Sequence, residues 1–322
     1  MTVLPGFLDA HVHLALIDPA RLAVGGIGRV LDLGGWAPAE GAGSAGSPAS
    51  LPQVQFAGQF LGAPGGYPSR QAWAPAGSSC AVAAPADAAE AVHRQAIAGA
   101  SVIKVTLNSA AGPVLAADTL AAIVAAAHAR MLPVAAHTEG AGQAAAAFDA
   151  GVDLLAHTPF SERVPEALLG AMAGRMTWIS TLDIHGWGEP TEAFHIASDN
   201  LARFHALGGR VLYGTDLGNG PLPVGLNRRE ITALLACGLS PDDVLAALTA
   251  DFPSRPDPVS GAAASGARPA PARTVTVVPG DRPTDQHDLA GFTDWLLSAR
   301  SQPAHALPAR ALTRPDLEDL RS

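Results

Sequence analysis

Phe7-Leu8-Asp9-Ala10-His11-Val12-His13-Leu14 lies close to the N-terminus, directly behind the turn-forming pair Pro5-Gly6. A turn feeding an apolar run predicts a buried strand. His11 and His13 are two apart, and side chains at i and i+2 of a strand share a face. Two imidazoles therefore leave the end of a buried strand in one direction, an unfavourable place for polar rings that bind nothing. Neutral imidazole suits zinc and its neighbours, so a divalent metal is the ligand this pair points to.

The rest of the chain repeats the alternation that this strand opens. Further strands are predicted at Arg29–Leu33, Val54–Leu61, Ser101–Leu107, Leu132–Ala136, Val152–Ala156, Met176–Leu182 and Arg210–Tyr213. Helical patterns lie between most of them: Ala86–Ala98, Ala116–Arg130, Ala141–Ala150, Pro165–Ala173 and Glu192–Leu207. Asn227–Ala236 and Pro241–Thr249 follow the last strand. Nearly continuous apolar strands alternating with helices predict a closed parallel (β/α)8 TIM barrel. The alternative, an open doubly wound sheet, should carry a glycine-rich phosphate turn after its first strand, and none is present. Gly34–Pro52, rich in Gly, Ala and Ser, and Gly62–Ser79 are expected as loops on the catalytic face. Residues 1–250 are thus expected to form one barrel domain. Residues 251–322 are expected to be a Pro/Ala-rich linker, a remnant strand at Thr274–Val278, a helix at Leu289–Ala299 and a loosely ordered tail.

Composition narrows the partners. Hydrophobic residues make up 48% of the 322, enough for a large core, but much of that is alanine. No long apolar span or signal peptide is visible, so no membrane is expected. The net charge of −9 and the lack of a Lys/Arg cluster argue against nucleic acid. Cys80 and Cys237 stand in no metal or redox spacing, which fits a reducing cytoplasm.

The strand ends carry the chemistry. The first ends in His11 and His13, the fourth holds Lys104 within an apolar run, the fifth ends in His137, the sixth in His157 and the eighth in Gly214-Thr215-Asp216. Taken singly, each has an ordinary explanation. A histidine can be a hydrogen-bonded core residue, a lysine can reach out to solvent, and an aspartate can cap a turn. In a barrel, however, all six converge on one mouth, where active sites are built.

That ordered set resembles the amidohydrolase superfamily of metal-dependent hydrolases. Pro5-Gly6-Phe7-Leu8-Asp9-Ala10-His11-Val12-His13 resembles the family's first-strand motif. Ala150-Gly151-Val152-Asp153-Leu154-Leu155-Ala156-His157 and Gly214-Thr215-Asp216 resemble those of the sixth and eighth strands. The similarity spans roughly residues 3–250 and points to the branch of imidazolonepropionase-like enzymes and lysine-type dipeptidases. The resemblance implies a binuclear site with two divalent ions, zinc foremost. His11, His13 and Asp216 would hold one metal, and His137 and His157 the other. Lys104, carboxylated by carbon dioxide, would bridge them, because a carbamate is an anionic oxygen ligand. Asp216 would act as the catalytic acid–base group for a metal-activated water.

The implied activity is hydrolysis of a carbon–nitrogen bond, amide or peptide-like, in a small molecule. The same site would also serve ester, lactone or phosphotriester hydrolysis, and a barrel that binds metal as a partner protein without turnover is the non-enzymatic alternative. His185, on the loop after strand seven, is expected to assist catalysis or bind substrate. Tyr67, Arg70 and Trp73 are expected to contact substrate. Family members usually carry a β-sandwich built from segments before strand one and after strand eight. Here the leading half is expected to be absent and the trailing half reduced to Thr274–Val278, leaving a flank that favours a second copy of the chain.

Overall fold

A computed structural model of the protein describes residues 1–38, 52–255 and 274–306. Much of the predicted Gly34–Pro52 loop, most of the linker and the final residues of the tail lie outside them. The first elements are strands β1 (Thr2–Pro5), β2 (Phe7–Val12), β3 (Ile27–Asp32), β4 (Gln53–Phe56), β5 (Phe60–Gly62) and β6 (Ser79–Ala81). Alternation then begins, with α1 (Pro85–Ile97), β7 (Ile103–Asn108), α2 (Ala117–His128), β8 (Val134–Glu139), α3 (Gln143–Asp149), β9 (Leu154–Leu155) and α4 (Glu166–Ala173). It continues through β10 (Thr177–Ile179), α5 (Glu192–Ala206), β11 (Arg210–Leu212), α6 (Arg228–Ala236) and α7 (Pro241–Thr249). The chain closes with β12 (Thr274–Val278), α8 (Leu289–Leu297) and β13 (Arg300–Pro303).

The result is an α/β fold. One sheet has seven strands in the order β11-β10-β9-β8-β7-β5-β6, all pairs parallel. A second parallel sheet runs β2-β3-β4. Backbone bonds join the two sheets at two places. Ala10 N–H donates to Tyr213 O at 2.9 Å, and Ser101 N–H donates to Phe56 O at 2.9 Å. Gly214 makes the first junction feasible: a Cβ there would lie 2.3 Å from Ile179 Cγ2 and 3.2 Å from the His11 nitrogen. The predicted strand Val54–Leu61 is interrupted. Gly58, at φ +79°, breaks it into β4, paired with β3, and β5, paired with β6 and β7.

Helix boundaries follow local chemistry. The Asp87 carboxylate accepts from Ala84 N–H at the start of α1. Ser240 and Asp243 form a reciprocal cap at the start of α7. Each helix turns an apolar stripe onto the strands, as Ala88, Ala91 and Val92 do on α1. A smaller buried cluster of Leu8, Ala10, Leu31, Leu33, Ala135, Leu154, Ile179 and Leu212 packs between strands of both sheets.

One expectation is corrected. The leading half of the appended sheet is not missing: β1 pairs antiparallel with β12, which pairs with β13, in a three-stranded sheet. Thr2–Pro5 is too short to read as a strand by itself. Its partner Thr274–Val278 lies more than 270 positions away, so only the closed chain creates the pairing. Phe292, Trp295 and Leu296 of α8 join the main core.

Candidate metal centre

β2 delivers the first two ligands through an irregularity. Its register against β3 shifts between Asp9 and Val12. Leu8 and Ala10 face the inner cluster, and the shift lets His11 and His13 follow them to that side. Buried Asp9 fixes the turn: its carboxylate accepts from His11 N–H (3.1 Å), Thr215 N–H (3.0 Å) and Thr215 Oγ1–H (2.6 Å). It thereby ties the start of the histidine pair to the residue preceding Asp216. Burial raises the Asp9 carboxyl to about 7.

Both imidazoles are anchored through Nδ1. His11 Nδ1 bonds the Ala156 carbonyl at 2.8 Å, and His13 Nδ1 bonds the Gly34 carbonyl at 2.9 Å. A carbonyl only accepts, so Nδ1 carries the proton in each ring and the neutral form leaves Nε2 with a lone pair. The Gly34 carbonyl is itself placed by Asp32, whose buried carboxylate accepts from Gly34 N–H and Leu14 N–H. Burial raises Asp32 to about 6.

The two Nε2 atoms converge on one oxygen. His11 Nε2 lies 3.1 Å and His13 Nε2 3.0 Å from Asp216 Oδ1. His11 Nε2 and Asp216 Oδ1 are fully buried and have no hydrogen-bond partner among the described residues. The lone pair of neutral His11 Nε2 facing a carboxylate oxygen at this range repels it unless a cation joins them. Asp216 Oδ2 is held by the Asn219 amide at 2.9 Å. Asp216 stands at φ +56°, in the left-handed region, where aspartate is tolerated. Burial pushes its carboxyl up, but His11, His13 and His157 outweigh that and hold it well below the ordinary range. Burial drives His11 and His157 well down and keeps them neutral. Burial pulls His13 down as well, yet Asp216 and Asp32 reverse the balance and raise it.

His157, after β9, sits with its ring 4.7 Å from His11 and 4.9 Å from His137. Its Nδ1 bonds Thr181 Oγ1 at 3.0 Å. Thr181 has φ +44°, a position that costs a β-branched residue about 1–3 kcal/mol. One ligand atom each from His11, His157 and Asp216 lies within 4.8 Å of the others. His137, on β8, stacks on Tyr67 at 4.8 Å, and its Nε2 lies 3.3 Å from Glu139 Oε2. Lys104, on β7, is 2% exposed and makes no ion pair among the described residues. Burial lowers its ammonium to about 7.

These groups floor a cavity of about 320 Å³ at the C-terminal ends of the strands. Its walls include Phe60, Tyr67, Trp73, Glu139, Phe160, His185 and Trp187. All six sequence-predicted ligands line it, as do Tyr67, Trp73 and His185. Arg70 is exposed and does not line it. His185 packs on Phe160 at 4.2 Å, its Nε2 is buried without a partner, and burial lowers it to about 4. The short turn that carries it is held by buried Glu230, which accepts from Leu182 and Asp183 N–H at 3.0 and 2.8 Å.

Sequence reasoning did not single out Asp9, Asp32, Glu139, Thr181 or Asn219. Glu139 was detectable in principle, since it follows His137 by two in one strand and so shares its face. Thr181 and Asn219 carry no such signal.

Parallel strands that bring four histidines, a lysine and an aspartate to one cavity define an α/β protein with a buried His/His/Asp group that could hold a metal ion. Comparison with solved structures shows the amidohydrolase fold. The chain superposes on the ochratoxinase of A. niger with a TM-score of 0.68 at 21% identity, covering 92% of this chain and 80% of that one. A Xaa-Pro dipeptidase with bound methionine gives 0.63 at 19%, covering 92% and 84%. Phenylurea hydrolase B gives 0.61 at 15%, covering 96% and 85%. No family model and no curated protein sequence matches the chain.

Proposed function

We propose that the chain is a metal-dependent amidohydrolase that cleaves an amide or peptide-like carbon–nitrogen bond, other than a standard peptide bond, in a small molecule. The observation that carries this reading is the meeting of His11 Nε2, His13 Nε2 and Asp216 Oδ1 at 3.0–3.1 Å, with both Nδ1 atoms already committed to carbonyls. A divalent ion suits that donor set, and nitrogen with carboxylate oxygen favours zinc. The hydrogen bonds from Ala10 to Tyr213 and from Ser101 to Phe56 support a single closed (β/α)8 barrel. Two buried free thiols, Cys80 and Cys237, suit a cytoplasmic setting.

In this reading His11, His13 and Asp216 would hold one ion and His137 and His157 the second, and Lys104, once carboxylated, would supply an anionic oxygen ligand. Its buried amine, lowered to about 7, is substantially unprotonated at neutral pH, which is the form that adds to carbon dioxide. When bound, the ions acidify a water and polarise the scissile carbonyl. Asp216, ionised and held at Oδ2 by Asn219, takes the proton of the attacking water and returns it to the leaving nitrogen. His185 offers its unpartnered Nε2 to a polar substrate atom, and Tyr67 and Trp73 flank the substrate.

The test is elemental analysis of purified protein together with a panel of amides, dipeptides and lactones. Two metals per chain and turnover of amides are expected. Protein carrying both metals that hydrolyses no member of the panel would overturn the assignment and leave a metal-binding partner protein.

A further inference from the structure

The cavity walls are aromatic, and one carboxylate, Glu139, stands among them in contact with His137. Phe60, Tyr67 and Trp73 form one side, with ring centroids 6.0–6.3 Å apart for the Tyr67–Trp73 and Phe60–Trp73 pairs. Phe160 and Trp187 form the other. Trp73 is 39% and Trp187 44% exposed, so two large indoles stand open at the rim of a pocket. The Trp187 indole is seated against Gly220, where any Cβ would come within 2.5 Å of it. β8 presents Glu139 to the same cavity. The Asn108 amide holds its Oε2 at 2.6 Å, His137 Nε2 lies 3.3 Å from the same oxygen, and Oε1 has no hydrogen-bond donor among the described residues. Its side chain is one-third exposed, and it lines the cavity. Among the described residues, no arginine lines this space, and its one lysine is buried Lys104 on the floor. The wall therefore has negative charge and π faces to offer, and no surface cation for an anionic ligand.

Resting on the hydrolase reading, we infer that Glu139 and the rim tryptophans select a substrate bearing a positively charged amine or guanidinium group. Aromatic faces attract such cations, and a half-buried carboxylate fixes their position. At the walls, an acidic side chain of the substrate meets a like charge and no cationic side chain.

The experiment has two arms. Zinc-loaded protein is given three N-acetyl amides that differ only in side chain: lysine, norleucine and glutamate. Lysine is expected to exceed norleucine in kcat/KM by about tenfold or more, with glutamate last. In Glu139→Gln the lysine-to-norleucine ratio falls below about threefold while metal per chain stays at the wild-type level. In the second arm, chelator-treated protein is titrated with agmatine and read by tryptophan fluorescence. Binding is expected to weaken about tenfold in Glu139→Gln and to weaken also in Trp187→Leu. Equal kcat/KM for lysine and norleucine overturns the inference and leaves the hydrolase reading intact. Loss of metal in Glu139→Gln also overturns it, by placing Glu139 among the ligands. If no amide is hydrolysed, the hydrolase reading falls and the agmatine titration still decides: binding that depends on Glu139 upholds the cation site, and binding indifferent to it refutes it.

Discussion

Lys104 shows most plainly how one side chain is committed by its surroundings. A lysine at 2% exposure, without an ion-pair partner among the described residues, is costly, and its ammonium responds by falling to about 7. Lys104→Ala is expected to lose at least one metal by elemental analysis and to cut turnover by about a hundredfold or more. Short carboxylic acids should restore part of the activity by filling the place of the proposed carbamate. Unchanged metal content in that variant would remove the bridging role. Thr181 and Asp216 belong to the same scale. Both adopt the left-handed region, and both touch the ligand cluster, so backbone strain is concentrated where side-chain direction matters.

Among the elements, β10 and the turn that follows it separate stability from site geometry. Trp178 of β10 is fully buried and stacks on Phe204 of α5 at 3.9 Å and 3°. Trp178→Ala should lower stability by about 3–5 kcal/mol, read as a shifted denaturation midpoint with the slope unchanged. Glu230 of α6 holds the turn bearing His185, and burial raises its carboxyl to about 7. An acid raised by folding binds protons more tightly in the native state. Its contribution to stability is therefore full below its unfolded pKa and is lost as pH rises through about 7. Denaturation of chelated protein at pH 5 and pH 7.5 should show this loss in the wild type and a smaller loss in Glu230→Gln. Equal slopes would show that Glu230 is ionised in the native state throughout. The strands and helices that carry these residues were readable from periodicity, because alternating apolar runs of this length have few other uses. The breaks were not. The interruption at Gly58 and the register shift in β2 depend on neighbours that the local pattern does not contain.

For the molecule as a whole, a buried set of imidazoles and carboxylates converging without a cation is electrostatically unfavourable, so metal should act as a stabilising ligand. Chelation is expected to lower Tm, and free zinc at about a thousand times its Kd to restore about 4 kcal/mol. A Tm insensitive to chelator and zinc would show that the cluster holds no stabilising ion.

The sequence by itself determined which residues could meet. His11, His13, His137, His157 and Asp216 follow from where predicted apolar runs stop, and Lys104 from its place inside one, since the chemistry of a strand is local. The tertiary structure alone decided what each of them faces. It supplied the Gly34 and Ala156 carbonyls that fix the tautomers, the Thr181 hydroxyl behind His157, the Glu139 carboxylate on the wall and the removal of Arg70 to the surface. It also paired Thr2–Pro5 with a strand from the far end of the chain. Those outcomes depend on groups brought together from distant positions, and hydrogen bonds and burial act through distance in space rather than along the sequence.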